Sequence, residues 1–404
     1  MNPLPQITLA SALDELYPER SFFAPRTVMD HMRWVTDESF RLDALTGGPI
    51  VVMGDMPLIC SRQVASPLIL DFFRQSGLTP ARNLMLFEAE ADSVALARDC
   101  IRRGYKLACI YPPPVDLQAD ESLVVPVPLY NWLNDKANLS RLVDESYLPR
   151  YQMIEISRLP DLRDIFPGRA LFIKACYPGA SGAGKDVWYC QDAASRSSAL
   201  AGLEGKQDGL SGIRVEESLD IVSSWCLSLS ILDEGVRYIG SAMQLFGQPG
   251  KQSGSRIDPD QMPPEALVGI ALSVAGRAGS LGYRGVAGFD LGVTSEGRPY
   301  VFDLNFRIAA STPQILLHGQ ATARVNARIS ESWNVMIRGE LSPVLHRIIP
   351  FAQSGSFVPI RLYEATPASK NRSVITGMIV APTLVELEAL NLAMKAACGE
   401  LLAV

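Results

Sequence analysis

The sequence predicts an α/β protein whose amino-terminal third is an open parallel sheet and whose remainder combines hairpins with helices. Three observations point there. Up to about residue 111, short apolar runs alternate with amphipathic helical runs. Prolines then crowd one stretch, at Pro112, Pro113, Pro114, Pro126 and Pro128. Beyond it, β-branched and aromatic runs are joined by short polar turns.

In chain order, IVVM at 50–53 reads as a buried strand, LILDFFRQSGL as a helix ending at Gly77, NLMLFEA as a strand, DSVALARDCIRRGY as a helix and KLACIYP as a strand, a β-α-β-α-β series. No G-x-G-x-x-G follows the first strand, so a dinucleotide is not supported. The proline-rich stretch reads as a linker. After it, NDKANLSRL gives a short helix with Asn134 or Asp135 as its cap. ALFIKACY and VWYC are strands around a Gly-rich connection, and a helix follows near Ala193 to Leu203. IRVEESLD, WCLSLSIL and VRYIGSAMQLF are strand-like, and residues 247–260 (GQPGKQSGSRIDPD) read as a mobile lid loop. A helix over PEALVGIALSVAGRAGSLGY leads to a hairpin, RGVAGFDLGVT–SEGR–PYVFDLNFR; from Thr312 the chain reads as helical and then mixed.

Composition narrows the function. The 404 residues are 48% apolar, enough for two or three cored domains, and a net charge of -6 without a long basic run argues against a nucleic-acid partner. The seven cysteines form no C-x-x-C pair and there are three histidines, so neither zinc nor a disulfide framework is expected. The first twenty residues carry acids and lack an apolar core, and PIVVMGDMPLI is interrupted by Asp55 and too short to span a bilayer. A soluble cytoplasmic protein without a membrane partner is expected.

The stretch YPGASGAGKD at 177–186 comes within one residue of a phosphate-binding P-loop, with Gly179, Gly184 and Lys185 in place and Asp186 where Ser or Thr should bind magnesium. A P-loop leads from a strand into a helix, whereas both flanks here read as strands. The segment is therefore expected to be a hairpin tip that folds over an anionic ligand and presents backbone amides to it. A tip that binds nothing is the alternative.

The last hairpin carries the chemistry. Asp290 and Asp303 each interrupt an apolar strand, and the turn near Glu296–Arg298 brings them opposite one another, about 5 Å apart. Asn305 and Arg307 follow at two-residue spacing on the face of Asp303. Facing carboxylates repel unless a cation lies between them, and an all-oxygen set with an amide suits magnesium shared with nucleotide phosphates. An arginine beside such a site is a fork for a phosphoryl oxygen or a carboxylate. The alternative is a solvated hairpin in which Arg307 pairs with Asp303.

Taken in order, Lys136 in NDK, Lys174, the Gly-rich tip, EES at 216–218, Asp290 in AGFDLG and DLNFR at 303–307 resemble the ATP-grasp superfamily over residues 131–320. That resemblance implies two α+β subdomains gripping ATP, with divisions at 1–130 (an α/β domain preceding the grip), 131–215 (lid subdomain) and 216–404 (core subdomain). By the same resemblance Lys136 and Lys174 bind nucleotide, and Gly179, Ser181, Gly182, Gly184 and Lys185 close over the terminal phosphates. Glu216 and Glu217 meet the adenine edge at the hinge. Asp290, Asp303 and Asn305 hold two magnesium ions, with manganese as a substitute, and Arg307 steadies the reacting group. The chain departs from the pattern with Asp303 where Glu is frequent and Phe306 where Pro is frequent. IVSSW at 221–225 offers no ribose-binding acid; Asp220 is nearest and that role stays unassigned.

The implied reaction joins a small carboxylate, an amino acid or peptide, to an amine through an acyl phosphate, releasing ADP and phosphate. Arg284, with Lys251 and Arg256, is a candidate for the substrate carboxylate. His318 lies just past the ladder and reads as a helix-surface residue; Cys176 and Cys190 read as packing rather than nucleophiles. A phosphotransferase or carboxylase on the same fold and a non-catalytic nucleotide-binding protein remain as rival readings, and a homodimer is left open.

Overall fold

The computed structural model describes residues 6–29, 38–182 and 184–402. The amino-terminal sheet is parallel, in the order β3-β2-β1-β4. Its strands are β1 (Ser21–Ala24), β2 (Leu58–Ser61), β3 (Leu84–Phe87) and β4 (Lys106–Cys109), with α1 (Ser39–Leu45), α2 (Pro67–Gln75) and α3 (Glu90–Arg102) between them. Both helices foreseen in this part are present. Pro67 opens α2, where a missing N–H costs nothing, and Asp92 reaches back to the amide of Ala89 to start α3.

The first strand is not the one expected. Residues 50–53 are buried but form turns, because Gly47, Gly48 and Pro49 set a tight path in which Ile50 N donates to Gly47 O and Val52 N to Pro49 O. The carbonyls of Val52 and Met53 accept from Leu13 and Asp14 instead of a strand neighbour. The sheet uses LICS at 58–61 and SFFA at 21–24, the latter too short for a periodicity to show. The proline-rich stretch is not a free linker either: Leu117 and Leu123 are buried against the sheet, and Leu123 bridges to Leu107.

Beyond α4 (Val127–Asn134) and α5 (Leu139–Leu142), a four-stranded antiparallel sheet has the order β5-β8-β6-β7, from β5 (Tyr151–Ile154), β6 (Leu171–Cys176), β7 (Val187–Cys190) and β8 (Gly212–Glu217). Helix α6 (Ala193–Leu203), capped by Asp192, covers one face over Ile173, Val215 and Leu171. The other face carries Lys174, Arg214 and Glu216.

The rest forms one eight-stranded sheet, β13-β12-β9-β10-β11-β14-β16-β15. It comprises β9 (Ile221–Leu232), β10 (Gly235–Gln248), β11 (Lys251–Ile257), β12 (Gly285–Thr294), β13 (Pro299–Asn305), β14 (Ile329–Arg338), β15 (Phe357–Tyr363) and β16 (Arg372–Ala381). Helix α7 (Glu265–Ser280) packs on one face over Leu227, Phe289 and Leu291, and α8 (Thr312–Arg324) crosses the other. Helices α9 (Ser342–Gln353) and α10 (Leu384–Cys398) pack near the β15–β16 end. The expected lid loop at 247–260 is instead the tip of the β10–β11 hairpin: Gly250 at φ +70° turns the chain, and the polar Ser and Gln residues after it pair back onto β10. Among the described residues no helix is long and apolar enough to cross a membrane.

Candidate functional site

The β12–β13 hairpin sets the geometry. Gly297, at φ +77°, closes the turn, and the register that follows places Asp290 directly opposite Asp303 and Gly288 opposite Asn305. Gly288 is required by closeness: a Cβ there would lie 2.6 Å from the Cβ of Ala309, in the turn that carries Arg307. Asp290 is half-buried beside Cys226 of β9, and its carboxyl is pushed up to about 7, first by desolvation and then by the facing Asp303. A cation between the two acids would relieve both effects. Asn305 adds an amide oxygen, so an oxygen-only set fits magnesium; among the described residues no cluster of three or more His, Cys, Asp or Glu offers another metal site.

Lys136 and Arg307 act on this pair directly, and Lys174 and Arg214 meet at Glu216 on the facing sheet. Asp135 accepts from the amide of Ala137, starting the short turn that aims Lys136 inward. Lys136 Nζ lies 3.0 Å from Asp186 Oδ2 and 3.7 Å from Asp303 Oδ2, and donates to Ser181 Oγ at 2.7 Å. Burial pulls its pKa down, but Asp186 and Asp303 outweigh that and hold the ammonium charged. Lys174 Nζ pairs with Glu216 at 2.6 Å and donates to Phe302 O of β13 at 2.9 Å, joining the smaller sheet to the larger. Arg214, fully buried, holds the other oxygen of Glu216 at 2.5 Å and stacks 3.7 Å from the centre of the Tyr151 ring. Arg307 Nη2 donates to Asn305 Oδ1 at 2.8 Å and to Ser181 O at 2.7 Å, while its Nε has no partner. Arg307 thus pairs with Asn305, not with Asp303.

The Gly-rich tip is a hairpin connection, with Lys174 in register with Val187 across β6 and β7 and no helix after it. Gly179 and Gly184 have φ of +122° and +59°, and Ser181 lies over the acids through its bonds to Lys136 and Arg307. Ala183 lies outside the described residues. Lys251, at the β10–β11 tip, donates to Gly184 O at 2.7 Å and to Val187 O at 3.3 Å, so it meets the tip.

The fold therefore gathers Lys136, Lys174, Ser181, Glu216, Asp290, Asp303, Asn305 and Arg307. Gly179, Gly182, Gly184 and Lys185 belong to the tip above them. Glu217 faces the other way and pairs with Arg169. Arg284 is not brought in: at the start of β12 it binds Asp233 and the carbonyls of Gly279 and Tyr283, stapling the end of α7, six residues along the strand from Asp290. Arg256 is paired with Glu331. His318 is half-buried rather than on the surface; its Nδ1 lies 2.9 Å from Ser330 Oγ, and burial lowers its pKa to about 4. Burial pushes the thiols of Cys176 and Cys190 up to about 12 and about 11, so neither is a ready nucleophile.

Two residues went unseen. Asp186, which spoils the P-loop pattern, is the buried partner of Lys136; an acid at the mouth of an apolar strand was the available signal. Asn134 accepts from Phe306 N at 3.0 Å, tying α4 to the turn after Asn305. That contact spans 172 positions, and no local pattern reveals it.

A family model described as the L-aspartate--L-methionine ligase N-terminal domain matches residues 12–131, and one described as L-aspartate--L-methionine ligase, ATP grasp, matches residues 149–305. Among solved structures, the chain is similar to N5-carboxyaminoimidazole synthetase from Staphylococcus aureus complexed with ADP. That match has 8% identity and a TM-score of 0.58, covering 98% of this chain and 99% of that one. It is similar to the L-amino acid ligase from Bacillus licheniformis, at 14% identity and TM-score 0.54 with 94% and 98% covered. It is also similar to a biotin carboxylase complex from Campylobacter jejuni, at 12% identity and TM-score 0.53 with 86% of each chain covered. At such identities the three likenesses speak for the fold.

Proposed function

Since the chain belongs to the ATP-grasp superfamily, in its carboxylate–amine ligase branch, we propose that it joins L-aspartate, as the acid, to the amine of L-methionine. A carboxylate oxygen of the acid attacks the γ-phosphorus of ATP and ADP leaves. The amine nitrogen then attacks the acyl carbon, phosphate departs with the former carboxylate oxygen, and the nitrogen loses its proton to solvent. The reading rests on one observation above all: Asp290 and Asp303 face each other beneath a Gly-rich tip whose Ser181 is held by Lys136 and Arg307.

In this reading Asp290, Asp303 and Asn305 would hold magnesium, which supplies positive charge against the phosphates. Lys136 and Lys174 bind the nucleotide's phosphates, and Glu216, fixed by Arg214, lines its base side. Arg307 steadies the acyl phosphate, and the tip excludes water that would hydrolyse it. Residues 1–130, 131–215 and 216–404 would act as preceding domain, lid and core.

The test is ADP release by the purified chain with ATP, Mg2+ and the two amino acids, with the product weighed by mass spectrometry. A dipeptide formed only when both amino acids are present supports the reading. ADP release with a phosphorylated amino acid as end product, or nucleotide binding without turnover, overturns it.

A further inference from the structure

Helix α10 is apolar on two opposite sides. Leu387, Met394 and Cys398 are buried against β14, β16 and α9. Two positions along a helix turn the side chain by about 200°. At that offset from the buried residues stand Val385, Ala389, Leu392 and Ala396, all of them exposed, Val385 by 81% and Leu392 by 60%. Outside α10, the exposed large apolar side chains among the described residues stand one to an element, as such residues ordinarily do. A helix lying on a sheet would normally turn charge outward here. Instead, the outward residues follow one another at spacings of four, three and four, the seam of a two-helix coil.

The charges beside the seam say what covers it. Glu388 and Lys395, seven residues apart, lie on one flank, both exposed and without an ion-pair partner among the described residues. The other flank holds Glu386, bonded to Thr383, and Ala393. Antiparallel helices bring like flanks together. With Val385 of one copy against Ala396 of another, and Ala389 against Leu392, each Glu388 meets the other copy's Lys395, so the pair is made twice about a two-fold axis. On the opposite flank Glu386 meets Ala393, and no like charges face each other. A parallel pair would set Glu388 beside Ala393 and lose the match. Ala389 and Ala396 let the two helix axes approach closely. One helix covers well under the roughly 800 Å² per partner of a standard interface, so the association is a weak one.

We propose that the outer face of α10 is a docking surface for a second copy of this chain, the two helices packing antiparallel with Glu388 and Lys395 in reciprocal ion pairs. The proposal stands apart from the ligase reading, since the surface lies at the β15–β16 end of the sheet and its test reads mass rather than turnover.

The experiment is sedimentation equilibrium of the full chain beside Leu392→Glu, Glu388→Lys, Lys395→Glu and the double charge swap. The parent should show a monomer–dimer equilibrium with a Kd between about 1 μM and 1 mM. Leu392→Glu should weaken it at least about a hundredfold, because a carboxylate would be buried in the seam without a partner. Each single reversal should weaken it at least about tenfold, because like charges then face each other twice. The double swap should return it to within about threefold of the parent, since the pairs are restored with their signs exchanged. Circular dichroism of the dilute chains should be unchanged, as every altered side chain is exposed; the charge variants keep the test open if Leu392→Glu does not fold. A parent that stays monomeric to about 1 mM overturns the proposal and leaves the stripe to a partner of another kind. A dimer indifferent to Leu392→Glu, or single reversals that the swap does not rescue, overturns it as well.

Discussion

Asp303 is the residue on which the candidate site turns, because it faces Asp290 across the strand pair and Lys136 across the cleft. Asp303→Asn should lower ADP release at least about a hundredfold, as expected when a preorganised charge at a phosphoryl-transfer site is lost. The same variant should be no less heat-stable than the parent without divalent ions, since it removes a like charge opposite the half-buried carboxyl of Asp290. A calorimetric scan with and without Mg2+ checks both points; a Mg2+-dependent rise in Tm equal to the parent's would count against the metal assignment. At this scale the sequence was informative wherever a polar residue broke an apolar strand, as Asp290, Asp303 and Lys174 do. It was silent about partners: nothing local in Asp186 or Asn134 says that one meets a lysine 50 positions upstream and the other the amide of Phe306. Arg284 shows the converse, a cation near the ladder in sequence that faces the end of a helix in space.

Among the elements, the Gly-rich hairpin and the β10–β11 hairpin work against each other through Lys251. Lys251→Met should release the tip, and amide exchange at residues 184–187 should quicken on the order of tenfold, as fits the loss of one charge-assisted hydrogen bond. Residues 251–257 should remain protected, because they form a strand; rapid exchange throughout 247–260 would restore the loop reading. Gly288→Ala should destabilise the chain by about 1–3 kcal/mol in urea denaturation, since the added methyl must displace Ala309. The β10–β11 hairpin was misread because Gly, Pro and Ser dominate its sequence, and its strand character comes from pairing with β10 and β14 rather than from side-chain propensity. The helices α2, α3, α6 and α7 were legible because their apolar spacing is local, as are the Asp192 cap of α6 and the Asp92 bond that starts α3. Residues 50–53 were not, because burial on all sides gives a turn the same composition as a strand.

For the whole molecule, Glu38 links the start of α1 to β16 through Arg372 and also holds Arg41. Its carboxyl is held at about 2, below its usual value, by Arg41 and then Arg372. A folded-state value below the unfolded one means the contribution is complete above about pH 4.5 and disappears as pH falls toward 2. Glu38→Gln should therefore be less stable than the parent at pH 7, by about 1 kcal/mol or less for so exposed a pair, and indistinguishable from it near pH 2. A gap that persists in acid would assign the effect to something other than charge. The overall plan, a parallel sheet followed by a gripping pair of sheets, follows from the order of short patterns along the chain. That β14, β15 and β16 extend the same sheet that carries the acids depends on pairings between distant segments, which no pattern in one sequence encodes.

The cations that would greet a triphosphate already have company: Lys136 rests on Asp186, Lys174 on Glu216, and Arg307 on Asn305 and a backbone carbonyl. Nucleotide entry is accordingly an exchange of counter-ions rather than the filling of a bare positive hole. Small free anions such as orthophosphate, too weak to displace three internal partners together, would be turned away while a chelating polyanion is admitted.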